Sequence, residues 1–200
     1  EPIMTKAIES GINYFDTSSD YERDDSILSE ERYGRILPPY RDKIIIATKF
    51  NPRDATGARA EVEESLRRMK TDYIDIILIH SIEPDDDIAE IERGCYREMI
   101  KMKEEGISRF IGFSSMDSAS KSKELLEKLD VDVAMLALNP SQYGDFAKLV
   151  MPVARRKNVG VVAMKVMRDI VGKEATAKEL MNYALGEPGV ATANIAHTGM

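Results

Sequence analysis

KIIIATKFNPRDATGARAEVEESLRRMKTDYIDIILIH, residues 43–80, is the stretch that decides the fold. It opens on an apolar run, Lys43–Thr48, passes through an amphipathic segment, Ala58–Met69, and closes on a second apolar run, Ile74–Ile79. Both runs are almost unbroken in Ile, Leu and Ala, the composition of strands buried on both faces rather than the alternation of a half-solvated strand. The middle segment spaces Ala60, Val62, Leu66 and Met69 among Arg and Glu, which predicts an outer helix with one buried stripe. Strand, helix and strand in that order predict a parallel crossover unit.

The same plan repeats on either side. Further strand candidates are Ile12–Phe15, Arg109–Phe113, Val131–Leu138, Val159–Ala163 and Val190–Ile195. Helical segments with readable ends include Pro2–Ser10, stopped by Gly11, and Ile88–Glu105, stopped by Gly106. Ser118–Leu129, Phe146–Arg156 and Thr176–Leu185 continue the series, the last closed by Gly186 and Pro188. Seven strands and seven helices alternate, beginning on a helix and ending on a strand. The count predicts an α/β chain with an incomplete (β/α)8 TIM-barrel fold: one domain over residues 1–200, truncated at both ends, without its first strand and last helix. A doubly wound open sheet is the competing architecture. No G-x-G-x-x-G or G-x-x-x-x-G-K-[ST] loop comes after any strand, which counts against it.

Composition narrows the function classes. The 200 residues carry a net charge of -7, so a nucleic-acid-binding face is not expected. No apolar run approaches the roughly 20 residues that cross a bilayer, so no membrane partner is expected either. The single Cys95 rules out an internal disulfide and suits a reducing, cytoplasmic setting.

Polar residues at the ends of the apolar runs carry the functional signal. The strands end in Asp16, Lys49, His80, Ser114-Ser115, Asn139, Lys165 and His197-Thr198. Catalytic groups of a (β/α)8 barrel come from the C-terminal ends of its strands, and a buried barrel mouth rejects unpaired charges. Neighbouring strands lie about 5 Å apart, so Lys49 and Asp16 are expected to form a buried ion pair whose ammonium faces the Tyr21 hydroxyl. A nearby cation lowers a phenol pKa, which would make Tyr21 a proton donor to a nascent alkoxide. His80 would then supply a hydrogen bond that orients a carbonyl oxygen. No side chain here donates hydride, so such a site needs a nicotinamide cofactor.

Each residue also has a purely structural reading. Tyr21 could be one more half-buried tyrosine, Asp16 a turn or cap residue beside Thr17, Ser18 and Ser19, and His80 a satisfied core histidine. Lys165 could pair with Asp169 or Asp145, and Asp85–Asp87 reads as a solvated helix start.

GINYFDTSSDY (11–21), RDKIIIATKF (41–50), VEESLRRMKTDYIDIILIH (62–80) and KMKEEGISRFIGFSS (101–115) together resemble the aldo-keto reductase family, in order and over almost the whole chain. The departures from its common pattern resemble a divergent prokaryotic branch. The resemblance implies Asp16, Tyr21, Lys49 and His80 as catalytic residues, and NADP(H) as cofactor with NAD(H) as the alternative. It implies cofactor contacts at Ser114 and Ser115, with Ser115 replacing the commoner Asn. It implies further contacts at Asn139, although Pro140 replaces the usual neighbouring Gln, and at Met164, Lys165, His197 and Thr198. The implied activity is reduction of an aldehyde or ketone, a small-molecule carbonyl substrate, to an alcohol with Tyr21 as general acid/base. The alternatives are a Schiff-base lyase or aldolase using a strand-end lysine, Lys165 or Lys49, and a non-catalytic nicotinamide-binding relative.

Overall fold

The computed structural model describes residues 2–22, 27–141 and 143–195. The chain packs as two compact units, one of residues Glu1–His80 with Ala89–Ile111, the other of Ser81–Ile88 with Gly112–Met200.

The first unit begins with helix α1 (Pro2–Glu9), strand β1 (Tyr14–Asp16) and helix α2 (Ser29–Ile36). A 3-10 turn (Pro38–Lys43) leads into β2 (Ile45–Phe50), α3 (Ala55–Met69) and β3 (Ile74–Ile79). Helix α4 (Ile88–Ile91) runs through a kinked π segment (Glu92–Tyr96) into α5 (Arg97–Glu104), followed by β4 (Ser108–Ser115). Parallel register sets Asp16 beside Ala47, and Lys49 beside Leu78. Every residue of β3 is buried, as its unbroken apolar run requires of a strand covered on both faces. The one charge in that run, Asp75, is tied to Arg41 at 2.8 Å and Arg109 at 2.9 Å, and accepts from the Ile46 N–H at 3.0 Å. These contacts satisfy a carboxylate that burial would otherwise penalise.

Helix α3 starts where the Asp54 side chain accepts from the Gly57 N–H at 2.8 Å. It is clamped to α5 by Arg59, which meets both carboxylate oxygens of Glu105 at 2.8 Å and also donates to Glu98. Its other neighbour is α2, where Gly34 lies so close that a Cβ there would meet the Arg68 carbonyl oxygen at 2.0 Å.

The second unit takes up the end of β4 and continues with α6 (Ala119–Lys128), capped by Ser118, and β5 (Val133–Ala137). A π turn (Phe146–Val150) opens α7 (Met151–Arg156), followed by β6 (Gly160–Met164), α8 (Ala177–Gly186) and β7 (Val190–Ala193). A capping box, Thr176 with Glu179, fixes the start of α8. Gly112 pairs with Val133, Ala134 with Val161, and Val161 with Val190, all parallel.

Hydrogen-bonded neighbours keep chain order, β1 to β3 with the start of β4, then the end of β4 to β7. Helices separate the strands throughout. A doubly wound sheet reverses its order at a switch point, and this one does not. The topology is that of a (β/α)8 barrel with seven of its strands. The 12–15 and 43–48 strands expected from apolar content end at Asp16 and Phe50 instead. Parallel pairing continues through Asp16 in β1 and through Lys49 to Phe50 in β2, so Asp16 and Lys49 lie within strands rather than after them. Among the described residues no helix is long and apolar enough to cross a membrane.

Gly34→Ala removes a poor helix former yet drives a methyl group into backbone. It should lower stability by about 1–3 kcal/mol despite the gain in helix propensity. A urea midpoint equal to or above that of the parent would refute the close approach of α2 and α3.

Candidate active site

The site lies in the first unit, and strand parity builds it. Successive residues of a strand face opposite sides, so residues two apart share a face. Asp16 is in register with Ala47, and Lys49 stands two residues further along the same face. Leu78 is in register with Lys49, and His80 is again two residues on. Asp16, Lys49 and His80 thus step across three adjacent strand ends on one face.

Lys49 Nζ donates to both oxygens of Asp16 at 2.8 Å and to the Thr17 carbonyl at 2.6 Å. The side chains of Lys49 and Asp16 are only 1% and 5% exposed. Three acceptors therefore match the three N–H groups of an ammonium removed from water. The same nitrogen lies 4.9 Å from the centre of the Tyr21 ring. The imidazole of His80 meets that ring edge-on, with centroids 5.6 Å apart. The structure thus brings together all four residues predicted from sequence as the catalytic group.

The electrostatics differ from the expectation in one respect. Burial raises the Tyr21 phenol above 10.0, its ordinary value. Lys49 opposes that rise, whereas Asp16 and Asp20 add to it. The cation therefore limits the effect of burial rather than making the phenol acidic outright. His80 moves the other way: burial first, then the Lys49 charge, holds it below 6.5, so the ring is neutral at pH 7.

A second layer was not legible as part of the site. His80 Nδ1 lies 3.1 Å from Asn51 Oδ1, 3.3 Å from Ser18 Oγ and 3.6 Å from Asp20 Oδ2. Ser18 donates to Asp20 Oδ1 at 2.6 Å. Ser19 donates to Glu61, which also accepts from the Asn51 N–H at 3.3 Å. Fully buried Glu30 takes the Thr48 hydroxyl at 2.6 Å and Arg68 at 3.2 Å, and Arg68 also donates to the Ser19 carbonyl at 3.1 Å. The only sequence signal for this layer was the cluster of short polar residues beside Tyr21 and Lys49.

The remaining sequence-predicted residues belong to the second unit. Ser114 Oγ accepts from the Ser81 N–H at 2.9 Å, and Ser115 Oγ donates to the Ile82 carbonyl at 3.1 Å. Asn139 Nδ2 donates to the Lys165 carbonyl at 3.2 Å, while its Oδ1 accepts from the Ser141 N–H at 3.2 Å. All three side chains are buried and hold backbone turns. Met164 is the half-buried last residue of β6, and Lys165 comes next in the left-handed region at φ 58°. His197 and Thr198 lie outside the described residues.

Known proteins resemble this chain over most of its length. The sequence profile of the aldo/keto reductase family covers residues 1–194. An uncharacterized oxidoreductase of Bacillus subtilis, YqkF, is 31% identical over 173 residues, covering 80% of this chain and 53% of that protein. L-galactose dehydrogenase of Arabidopsis thaliana is also 31% identical, covering 80% of this chain and 52% of its own length. This chain therefore spans about half the length of these curated relatives. Among solved structures, a putative aldo-keto reductase from Pseudomonas aeruginosa superposes with a TM-score of 0.81 at 25% identity, over 99% of this chain and 76% of that one. An aldo/keto reductase from Klebsiella pneumoniae, solved with NADP and acetate, shares the fold with a TM-score of 0.77 at 23% identity, over 95% and 72% of the two chains. The match over nearly the full sequence, together with an Asp16–Lys49 pair set against Tyr21 and His80, means that this chain belongs to the aldo/keto reductase family.

Proposed function

We propose that this chain, with residues 1–200 as one barrel domain, is the catalytic part of an NADP(H)-dependent oxidoreductase that reduces an aldehyde or ketone to an alcohol. The observation that carries this reading is the buried Lys49 ammonium, bound by Asp16 and set 4.9 Å from the Tyr21 ring. Tyr21 keeps its proton through the neutral range, because burial outweighs the pull of Lys49. An alkoxide is far more basic than a phenolate, so proton transfer from the Tyr21 hydroxyl to a newly formed alkoxide runs downhill. The phenolate left behind is stabilised by the adjacent ammonium. In the reverse direction the same oxygen takes the proton back.

NADPH, when bound, supplies the hydride that no side chain can. In this reading Ser114, Ser115 and Asn139, whose side chains also hold the turns at Ser81, Ile82 and Lys165, contact the cofactor, and Lys165 brings a cation suited to phosphate. Met164 offers a polarisable thioether for packing against a flat ring. In this reading His197 and Thr198 contact the cofactor as well. A lysine nucleophile is less well supported at Lys49, since its nitrogen already donates to two carboxylate oxygens and a carbonyl.

Tyr21→Phe should lower kcat by roughly 10²–10⁴-fold while leaving NADPH affinity, followed by fluorescence titration, unchanged. Retention of kcat within a few-fold would remove Tyr21 from the reaction.

Lys49→Met strands a buried carboxylate at Asp16, so unfolding free energy in urea should drop by about 3–5 kcal/mol. A loss below about 1 kcal/mol, the size of effect measured for exposed pairs, would mean the pair is solvated.

The His80 shift has a definite sign. Its folded pKa lies below 6.5, so the unfolded chain takes up the proton first. The associated stability is fully present above 6.5 and is lost as pH falls from there through the folded pKa. His80→Gln should therefore flatten the acid limb of the stability–pH curve. An unchanged limb would show that His80 titrates normally.

A further inference from the structure

We propose that Glu61 and Arg68 of helix α3 are positioning residues for the proton donor: they grip Ser19 from two sides and so hold the Tyr21 ring against the Lys49 ammonium. Tyr21 is 40% exposed, so core packing alone does not fix where its hydroxyl sits. Its place is set by the turn that carries it, and Ser19 is the fixed point of that turn. Ser19 is buried, and each of its polar groups is engaged. Its N–H donates to the Lys49 carbonyl at 3.1 Å, its hydroxyl donates to Glu61, and its carbonyl accepts from Arg68 Nη1 at 3.1 Å. Two residues on, the Tyr21 N–H closes on the Ser18 carbonyl at 3.3 Å, and the ring lies with its centre 4.9 Å from Lys49 Nζ.

The two gripping residues share one face of the helix. Their separation in sequence is close to two full helical turns, so Glu61 and Arg68 point the same way. Both are braced from behind. Glu61 also accepts from the Asn51 N–H at 3.3 Å, which joins the loop after β2 to the same carboxylate. Arg68 is held by Glu30 at 3.2 Å and, through Nε, by Glu64 at 3.2 Å. Glu30 is fully buried and takes the hydroxyl of Thr48, the residue before Lys49, at 2.6 Å. The contacts from Thr48 through Glu30 and Arg68 to Ser19 therefore begin on the strand that bears the ammonium and end on the turn that bears the phenol. Proton donor and cation are referred to one helix, and Glu61 and Arg68 act on Tyr21 through Ser19.

The effect on turnover rests on the proposed carbonyl reduction; the placement of Tyr21 does not. Carbon-13 NMR of the tyrosine-labelled protein, with the Tyr21 Cζ signal assigned from Tyr21→Phe, reports the surroundings of the ring whether or not any substrate turns over. The signal should move in Ser19→Ala and in Glu61→Leu, and keep its parent position in Glu61→Gln, which retains an acceptor for the Ser19 hydroxyl. Arg68→Met is made together with Glu30→Gln, so that no buried carboxylate is left unpaired, and should move the signal as well. With NADPH and propanal, kcat should fall by roughly 10–100-fold in the variants that move the signal, the scale of a small misplacement of a reacting group. NADPH affinity by fluorescence titration should stay unchanged, and Glu61→Gln should keep kcat within a few-fold of the parent. Ser19→Ala removes a single oxygen and keeps the test open should a larger change fail to fold. A Tyr21 signal unmoved in Ser19→Ala and Glu61→Leu, or unmoved in the Arg68 double variant, would overturn the assignment, as a purely structural role predicts. A displaced signal with kcat unchanged would overturn the catalytic consequence. Absence of aldehyde turnover in the parent would instead count against carbonyl reduction itself, and the NMR result would stand separately.

Discussion

A lysine almost wholly withdrawn from water is the constraint around which the first unit is arranged. Removing an ammonium and a carboxylate from solvent costs several kcal/mol per ion, and their attraction offsets this only with near-complete hydrogen bonding. Lys49 meets that condition with Asp16 Oδ1, Asp16 Oδ2 and the Thr17 carbonyl. The requirement fixes more than the pair. Asp16 must end β1 in register with Ala47, and the chain must then turn so that the Thr17 carbonyl faces the lysine. The Thr17 N–H closes the turn on the Ala47 carbonyl at 2.9 Å, and the Ser19 N–H closes it further on the Lys49 carbonyl at 3.1 Å. Tyr21 comes to the ammonium because the turn that satisfies the ammonium also carries Tyr21.

Charge placement around this centre separates two kinds of proton holder. Tyr21 is held protonated and His80 is held neutral, and burial is the largest cause of both. Desolvation always disfavours the charged form, so it raises a phenol and lowers an imidazole. Lys49 then acts on both with the same sign: it stabilises a phenolate and penalises an imidazolium. One cation in one partly dry pocket therefore leaves the phenol as the group able to give a proton and the imidazole as a neutral group of fixed orientation.

Much of this was legible in the sequence, for a physical reason. An ionisable residue at the end of an apolar strand, as at Lys49 and His80, is costly unless paired or held neutral, so its presence marks a site. Strand order and the identity of the four central residues could be read from such local signals. Element ends could not, because a hydrogen-bond ladder can run on past the apolar content, as Asp16 shows. The second layer was hidden for a different reason. Asn51, Ser18 and Asp20 acquire a role only through contacts with His80 across 29, 62 and 60 positions of the chain, and short polar residues near a turn have an equally good local explanation. The direction of the Tyr21 shift was also out of reach, since it depends on how burial weighs against a cation, a balance set by packing.

The second layer also bears on why the site sits on rigid supports. Glu30 is fully buried and bridges Thr48 of β2 to Arg68 of α3, while Arg68 holds the Ser19 carbonyl in the turn before Tyr21. Gly94 lets the π-kinked helix touch the Arg53 carbonyl in the loop after Lys49. The turn before Tyr21 and the loop after Lys49 are thus each tied to a helix, the first by a polar contact and the second by a close backbone approach. Such contacts contribute modestly as individual stabilisers. Their larger effect is on geometry, because a proton transfer depends on displacements of a fraction of an ångström. The polar residues that surround the centre are better understood as determinants of position than as contributors to net stability, and the buried ion pair at their middle is tolerated because the scaffold holds its partners in place.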